Sequence, residues 1–312
     1  YWTLPKRKFL DVSPQDLKKK VIEAVALTTV SDVPIALLLS GGADSSIIAH
    51  VLKNELQKPF QAFAFGRNEQ DEEIVRARKV AAFLNLDLHV SSLEKIQDKA
   101  LTMMASLIRQ YGEPLYLLPM VYGLLLFQGI RKAGLKVVLT GAGADELFFG
   151  YLGHRKTYLI SLWLSVIHSS PFSIKKYLLR GAEKNIREEF FHVWEPFFEP
   201  LLDRPYIEFS NFFALIVENA HSITMLSDIA GSFESLEVRC PFLDYQLVEM
   251  AFRISAKEKI GSLFSSTGAY QKAILKKAFE KDLPEDILYQ PKVGFGHFAQ
   301  EKIFFPENPK NA

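Results

Sequence analysis

Apolar residues fall in short unbroken runs in the first half of the chain and at helical spacing in the second. "VPIALLL" at 33–39 shows no alternation with polar residues, the pattern of a strand covered on both faces. "FQAFAF" at 60–65, "LDLHV" at 86–90 and "LKVVLT" at 135–140 read as further strands. Helical patterns lie between them. Ser13-Pro14 offers a cap and a first-turn proline, and 45–56 reads as a second helix. Ile74, Val75, Ala77, Val80, Ala81 and Leu84 form an apolar stripe over 71–84. Strand and helix alternate, which predicts an α/β fold: a parallel sheet with flanking helices and right-handed crossovers. After residue 150 strand signals fade, and 174–180, 212–229, 244–253 and 269–280 read as helices. The expected organisation is one unit over 1–312, with an α/β half at 1–155 and a mostly helical half at 156–312.

Two apolar stretches raise a membrane reading. "LYLLPMVYGLLLFQGI" at 115–130 is interrupted by Pro119, Gly123, Gln128 and Gly129. "YLISLWLSVI" at 158–167 is shorter than the roughly 20 residues a spanning helix needs. Both read as buried core helices. The 312 residues, 48% of them hydrophobic, suffice for a large core. A net charge of +1 gives a nucleic-acid or membrane partner no support. The single cysteine, Cys240, excludes an internal disulfide and a thiolate metal cluster, and it suits a reducing cytoplasm. The chain opens on Tyr1 with no signal segment, and reads as a processed or excised piece of something longer.

The chemistry gathers where strands end. "SGGADSS" at 40–46 stands between a strand and a helix, where open α/β sheets bind ligands. Gly41 and Gly42 allow close backbone approach. Successive N–H groups and the positive end of the following helix can then surround an anion. Ser40, Ser45 and Ser46 add hydroxyl donors. Asp44 would repel phosphate unless a cation lay between them, and magnesium resolves that conflict. The loop lacks the lysine and the Gly-Lys-Ser/Thr ending of a Walker loop. A second loop, "VVLTGAGADELFFGY" at 137–151, repeats strand, glycines and acid. Its glycines do not complete a dinucleotide fingerprint, because Glu146 stands where the third should be. Asp145 can share the magnesium with Asp44.

Ser-Gly-Gly-x-Asp-Ser resembles the pyrophosphate loop of the ATP pyrophosphatases. With "DEEIVRARKVA" (71–81), "GAGADELFFGY" (141–151), "EVRCPFLD" (237–244) and "QPKVGF" (290–295) following in order, the chain resembles the synthetase domain of the asparagine synthetase family over about residues 1–298. The resemblance implies an adenine nucleotide α-hydrolase-like fold. It also implies an ATP-dependent ligase that adenylates a carboxylate, expels pyrophosphate and passes the acyl group to an amine. Ser40, Gly41, Gly42, Ser45 and Ser46 would then hold pyrophosphate, and Asp44 and Asp145 would hold Mg2+. Backbone groups of Leu37, Leu38, Leu39, Phe65 and Gly141 would frame adenosine. Phe63 and Phe65 also read as plain core. Lys292 matches the lysine that approaches the α-phosphate, and Lys272 a second lysine associated with pyrophosphate. Gly294 beside Lys292 suggests a closing loop. Glu237, Arg239 and Asp244 read as an internal ion-pair group that either shapes the acceptor pocket or serves as structural support, and Cys240 as a small core residue.

One departure bears on the substrate. The family usually has glutamate at the second place of the GxGxDE motif, where ammonia meets the acyl adenylate; here it is Ala142. A methyl group accepts no proton, so Glu234 or Glu237 is the candidate base, unless the amine arrives neutral. The expected acceptor is aspartate with ammonia or glutamine as nitrogen source. The alternatives are another carboxylate and amine, as in β-lactam synthetases and lasso-peptide cyclases, or a non-catalytic nucleotide-binding subunit. "YWTLP" resembles the segment that follows the family's glutaminase domain, which is expected as a removed domain or a separate subunit. A homodimer and a cytoplasmic location complete the expectations.

Overall fold

The structure, a computed structural model, describes residues 11–92, 118–167, 205–262 and 270–291, with 102–103, 105–106, 108–109 and 112. The helix expected at 174–180, Lys292, Gly294 and the opening "YWTLP" lie outside the described residues.

Five parallel strands make one sheet in the order β3-β2-β1-β4-β5. They are β1 (Ile35–Leu38), β2 (Phe60–Gly66), β3 (Leu88–Ser92), β4 (Val137–Leu139) and β5 (Glu237–Arg239). The first four overlap the apolar runs, with β3 shifted two residues past the expected 86–90. The register sets Ile35 beside Phe60 on one side and beside Val137 on the other. The fifth strand has no apolar signature, because it is a short edge strand with no fully buried residue. It carries the second half of the chain into the sheet. From β1 the chain builds outward through β2 and β3, then returns to build β4 and β5 on the other side. The loops after β1 and β4 therefore diverge, and a crevice opens between them at the carboxyl ends.

Helices cover both faces, which is why the strands read as continuous apolar runs. One face packs α1 (Pro14–Thr28), α2 (Ala43–His50) and α3 (Glu72–Leu84) with carboxyl-half residues such as Leu247, Leu275 and Phe279. The other packs α4 (Leu118–Lys132) through Leu124, Leu125, Leu126, Phe127 and Ile130 against Phe63, Phe65 and Val138. Ser13 caps α1, accepting from the Asp16 N–H at 3.1 Å. Asp71 caps α3, accepting from the Glu73 N–H at 2.9 Å. Asn85 ends α3 in the left-handed region. Within the α3 stripe, Ile74, Ala77, Val80, Ala81 and Leu84 are buried, but Val75 is 53% exposed. It lies one step, about 100° round, from Ile74.

The next helices are α5 (Ala144–Phe148), α6 (Gly153–Ile167) and α7 (Tyr206–Phe213). The last runs through π-wound turns at Ala214–Thr224 into α8 (Met225–Phe233), a longer element than the 212–229 the spacing predicts. α9 (Tyr245–Ala251), α10 (Ala256–Ile260), α11 (Ala273–Ala278) and α12 (Glu285–Leu288) follow. The α6 stretch, expected as core, leaves Trp163 62% exposed among the described residues. No helix among the described residues is long and apolar enough to cross a membrane.

Candidate active site

A cavity of about 540 Å³ lies at the crevice, and both glycine-bearing loops line it. After β1, the Leu39 N–H still bonds the Phe63 carbonyl at 2.8 Å. The chain then turns at Gly41, whose φ is +73°. A Cβ there would lie 2.4 Å from the Arg76 carbonyl carbon, so both the backbone angle and the packing against α3 demand glycine. α2 starts straight afterwards. The Ser46 and Ser45 hydroxyls donate to the Gly42 carbonyl at 2.8 and 3.2 Å, and the Ser40 and Ser45 hydroxyls meet at 3.1 Å. The first N–H groups of any helix lack intrahelical acceptors, and here Gly42, Ala43, Asp44 and Ser45 line the cavity. This is the geometry that suits an anion.

After β4, the Ala142 N–H bonds Thr140 Oγ1 at 3.2 Å, and Gly143 turns with φ +94° into α5. The two loops touch at Gly141, where a Cβ would stand 2.9 Å from the Asp44 Cβ. Asp44 and Asp145 converge on one cation. The Lys272 ammonium is 2.5 Å from Asp44 Oδ2 and 2.7 Å from Asp145 Oδ1. Lys272 is only 5% exposed. Burial works against its charge, but Asp145 and Asp44 overcome it and hold the ammonium protonated, its pKa raised above the ordinary lysine value. Its backbone is pinned in the left-handed region by the bond from the Lys272 N–H to the Phe148 carbonyl at 3.1 Å. Gly150 makes room: a Cβ there would lie 1.8 Å from Asp145 Oδ1 and 2.2 Å from Lys272 Cε. Two carboxylates meeting at one point form a hard oxygen donor set that could hold a divalent cation in the ammonium's place.

Leu38, Leu39, Ser40, Gly42, Asp44, Ser45, Phe65, Gly141, Asp145 and Lys272 all line the cavity. Leu37, Gly41 and Ser46 do not. Leu37 is fully buried in the core, Gly41 packs on α3, and the Ser46 hydroxyl turns back to Gly42. The expected ion-pair group is not a pocket wall. Arg239 pairs with Glu237 at 2.9 Å and donates to the Thr28 and Val30 carbonyls, tying the sheet edge to the end of α1. Asp244 instead caps α9, accepting from the Gln246 N–H at 3.0 Å and the Leu247 N–H at 3.1 Å. None of these three lines the cavity, and neither does Glu234, so neither candidate base faces it. Cys240 has its thiol pushed up to about 11 by burial and by Asp228.

Several lining residues escaped sequence reading. Lys276 stands one turn after Lys272, 3% exposed, with its ammonium 5.4 Å from the Tyr289 ring centre. Burial and the neighbouring Lys272 push it down to about 8. Its signal was the four-residue spacing from Lys272. Arg76 donates to the Pro291 carbonyl at 2.6 Å and pairs with Glu72. Glu73, nearly enclosed, is pushed up to about 8 by burial and by Asp71. Tyr151 donates to Glu146 Oε1 at 2.5 Å, and both face the cavity beside Ala142. Burial and then Glu146 raise the phenol's pKa. Leu126, Phe127, Leu226 and Ala230 give the cavity an apolar wall. Phe63 also lines it, with its ring stacked on His89 at 4.7 Å.

The asparagine synthase family profile matches residues 16–310, which takes in both loops and the helix bearing Lys272. The chain belongs to the asparagine synthase family. An asparagine synthetase [glutamine-hydrolyzing] of Asparagus officinalis is 26% identical over 90% of this family member and 42% of the relative. The amidase chyE of Penicillium rubens is 23% identical over 95% of this chain and 53% of its own length. The chain thus spans about half the length of the curated relatives it matches. Among solved structures, an NH3-dependent NAD synthetase from Campylobacter jejuni is 17% identical over 67% of this chain and 96% of its own, with a TM-score of 0.35.

Proposed function

We propose that this chain is the catalytic unit of an ATP-dependent amide-forming ligase, with a nucleotide-binding half at 1–155 and a mostly helical half at 156–312. One observation carries the reading: Asp44 and Asp145, from loops after two different strands, meet at one buried cation beside the start of α2. The adenosine lies against the apolar wall near Leu38 and Phe65. The triphosphate lies along Ser40, Gly42 and Ser45, at the positive end of α2. Mg2+ held by Asp44 and Asp145 would neutralise charge on the phosphates. A substrate carboxylate oxygen then attacks the α-phosphorus, and the bond to the β-phosphate oxygen breaks. Pyrophosphate leaves, carrying its charge into the ring of Lys272, Lys276 and Arg76. An amine nitrogen attacks the activated acyl carbon, AMP departs with the electron pair of the broken C–O bond, and the nitrogen loses a proton. Catalysis rests on positioning and on fixed charge. By resemblance, Lys292 meets the α-phosphate.

Asparagine formation from aspartate is the first reading, with ammonia supplied directly or by a glutaminase domain or subunit. Ala142, which lines the cavity and has no group that accepts a proton, favours a second: a different carboxylate and amine. Incubation with ATP, Mg2+ and a panel of acids and amines separates them through pyrophosphate release. Aspartate with ammonium yielding asparagine selects the first; release only with another acid selects the second. Nucleotide binding with no turnover for any acid would contradict the ligase.

A further inference from the structure

The ammonium of Lys272 stands between Asp44 Oδ2 and Asp145 Oδ1, at 2.5 and 2.7 Å, a position from which one cation could be shared by both carboxylates. Magnesium–oxygen bonds are about 2.0–2.1 Å long. An ion at that distance from these same two oxygens, on the side the ammonium holds, would overlap it, so there the two cations are alternative occupants of one position. Lys272 cannot retreat with its backbone. Its N–H is bonded to the Phe148 carbonyl, and the preceding Gln271 side chain donates to the Gly150 carbonyl at 2.5 Å. Asp145 and Lys272 also fill the space beside Gly150. Exchange must come from rotation of the side chain, and Lys272 already lines the cavity that Ser40, Gly42 and Ser45 line.

On the reading of this cavity as a nucleotide site, we infer that Lys272 is a positioning residue that makes metal entry depend on nucleotide. In the free site it holds the two carboxylates together. When a metal arrives alone, it must expel a buried ammonium into a cavity lined by Lys276 and Arg76, charges of its own sign, where Glu146 already accepts from the Tyr151 hydroxyl. When the metal arrives with a triphosphate, the expelled ammonium meets an anion. Metal and nucleotide therefore bind with positive coupling, and by linkage each raises the affinity of the other by the same factor. After pyrophosphate and metal leave, Lys272 returns and the carboxylates are again neutralised.

The test measures Mn2+ binding by electron paramagnetic resonance and calorimetry, with and without a non-hydrolysable α,β-methylene ATP analogue. The wild-type chain is expected to bind Mn2+ at least tenfold more tightly with the analogue than without it. Lys272→Met is expected to bind Mn2+ alone at least tenfold more tightly than wild type and to lose most of the coupling. Lys272→Arg, which keeps the charge, retains it. A Lys272→Met protein with unchanged or weaker affinity for Mn2+ alone overturns the inference. Should that variant not fold, the wild type decides: Mn2+ affinity indifferent to the analogue overturns the inference while leaving the nucleotide site in place. Binding of neither ligand overturns the nucleotide reading and the inference with it.

Discussion

Among the described residues, Lys272 and Lys18 each bridge two carboxylates, and the bridges stand toward opposite ends of the same two helices. Lys272, at the start of α11, spans Asp44, at the start of α2, and Asp145. Lys18, on α1, spans Glu55, just past α2, and Asp282, just past α11, at 2.8 Å each. α2, which separates them, is roughly 12 Å long. In both bridges burial opposes the ammonium and the acids raise its pKa. The surroundings differ. The Lys18, Glu55 and Asp282 side chains are 25%, 32% and 21% exposed, and none of them lines the cavity. Water competes for such a pair, and its contribution is about 0–1 kcal/mol. The Lys272, Asp44 and Asp145 side chains are 7%, 18% and 18% exposed and face the cavity. One bridge is a clasp between helices. The other holds charge where a ligand can take it over.

Removing a carboxylate separates the two most sharply. Asp44→Asn and Asp145→Asn should each lower pyrophosphate release by on the order of 10²–10³-fold, with the fold retained by circular dichroism; Asp282→Asn should leave turnover unchanged. Undiminished turnover in Asp44→Asn would remove the metal role. Gly150→Ala drives a methyl into Asp145 and Lys272. It should cut turnover severely and lower stability by about 1–3 kcal/mol in denaturant melts, whereas Gly153→Ala meets open space and should do neither.

A smaller effect concerns pH. Glu73 has a native pKa of about 8 against an ordinary value of 4.5. Between those values the native state holds more protons than the unfolded one, so stability falls as pH rises from about 4.5 through 8. Glu73→Gln should remove that decline and be more stable at pH 8 by on the order of 1–3 kcal/mol, read from thermal melts across pH. A retained slope would place the titration elsewhere. The smallest effect is expected at the clasp: Lys18→Met should cost no more than about 1 kcal/mol and leave pyrophosphate release intact.

The sequence shows the cavity loops more plainly than the cavity's other walls, and the reason is physical. Strands covered on both faces leave unbroken apolar runs, and a backbone that turns left-handed against a helix leaves glycines, so 33–42 and 137–143 announce themselves. Strand β5 left no trace, because a three-residue edge strand buries too little to need an apolar pattern. Lys276, Arg76 and Glu73 come to the cavity only through helix packing, and alone each reads as a surface charge. For Glu237, Arg239 and Asp244 the structure supports the structural reading over the pocket one. Adjacent charges suggested one cluster, but Asp244 is spent on a helix cap and Arg239 on the carbonyls of Thr28 and Val30.

The proposed ligase depends on Asp44 and Asp145 gripping a nucleotide's phosphates through one shared divalent ion. A crystal structure with an ATP analogue and Mn2+, with the ion located by its anomalous signal, tests this directly. The expected map has one peak bonded to both aspartates, phosphate oxygens at the first turn of α2, and Lys272 turned toward them. Nucleotide bound elsewhere, or Lys272 still between the two aspartates with the ion lodged outside them, would contradict it.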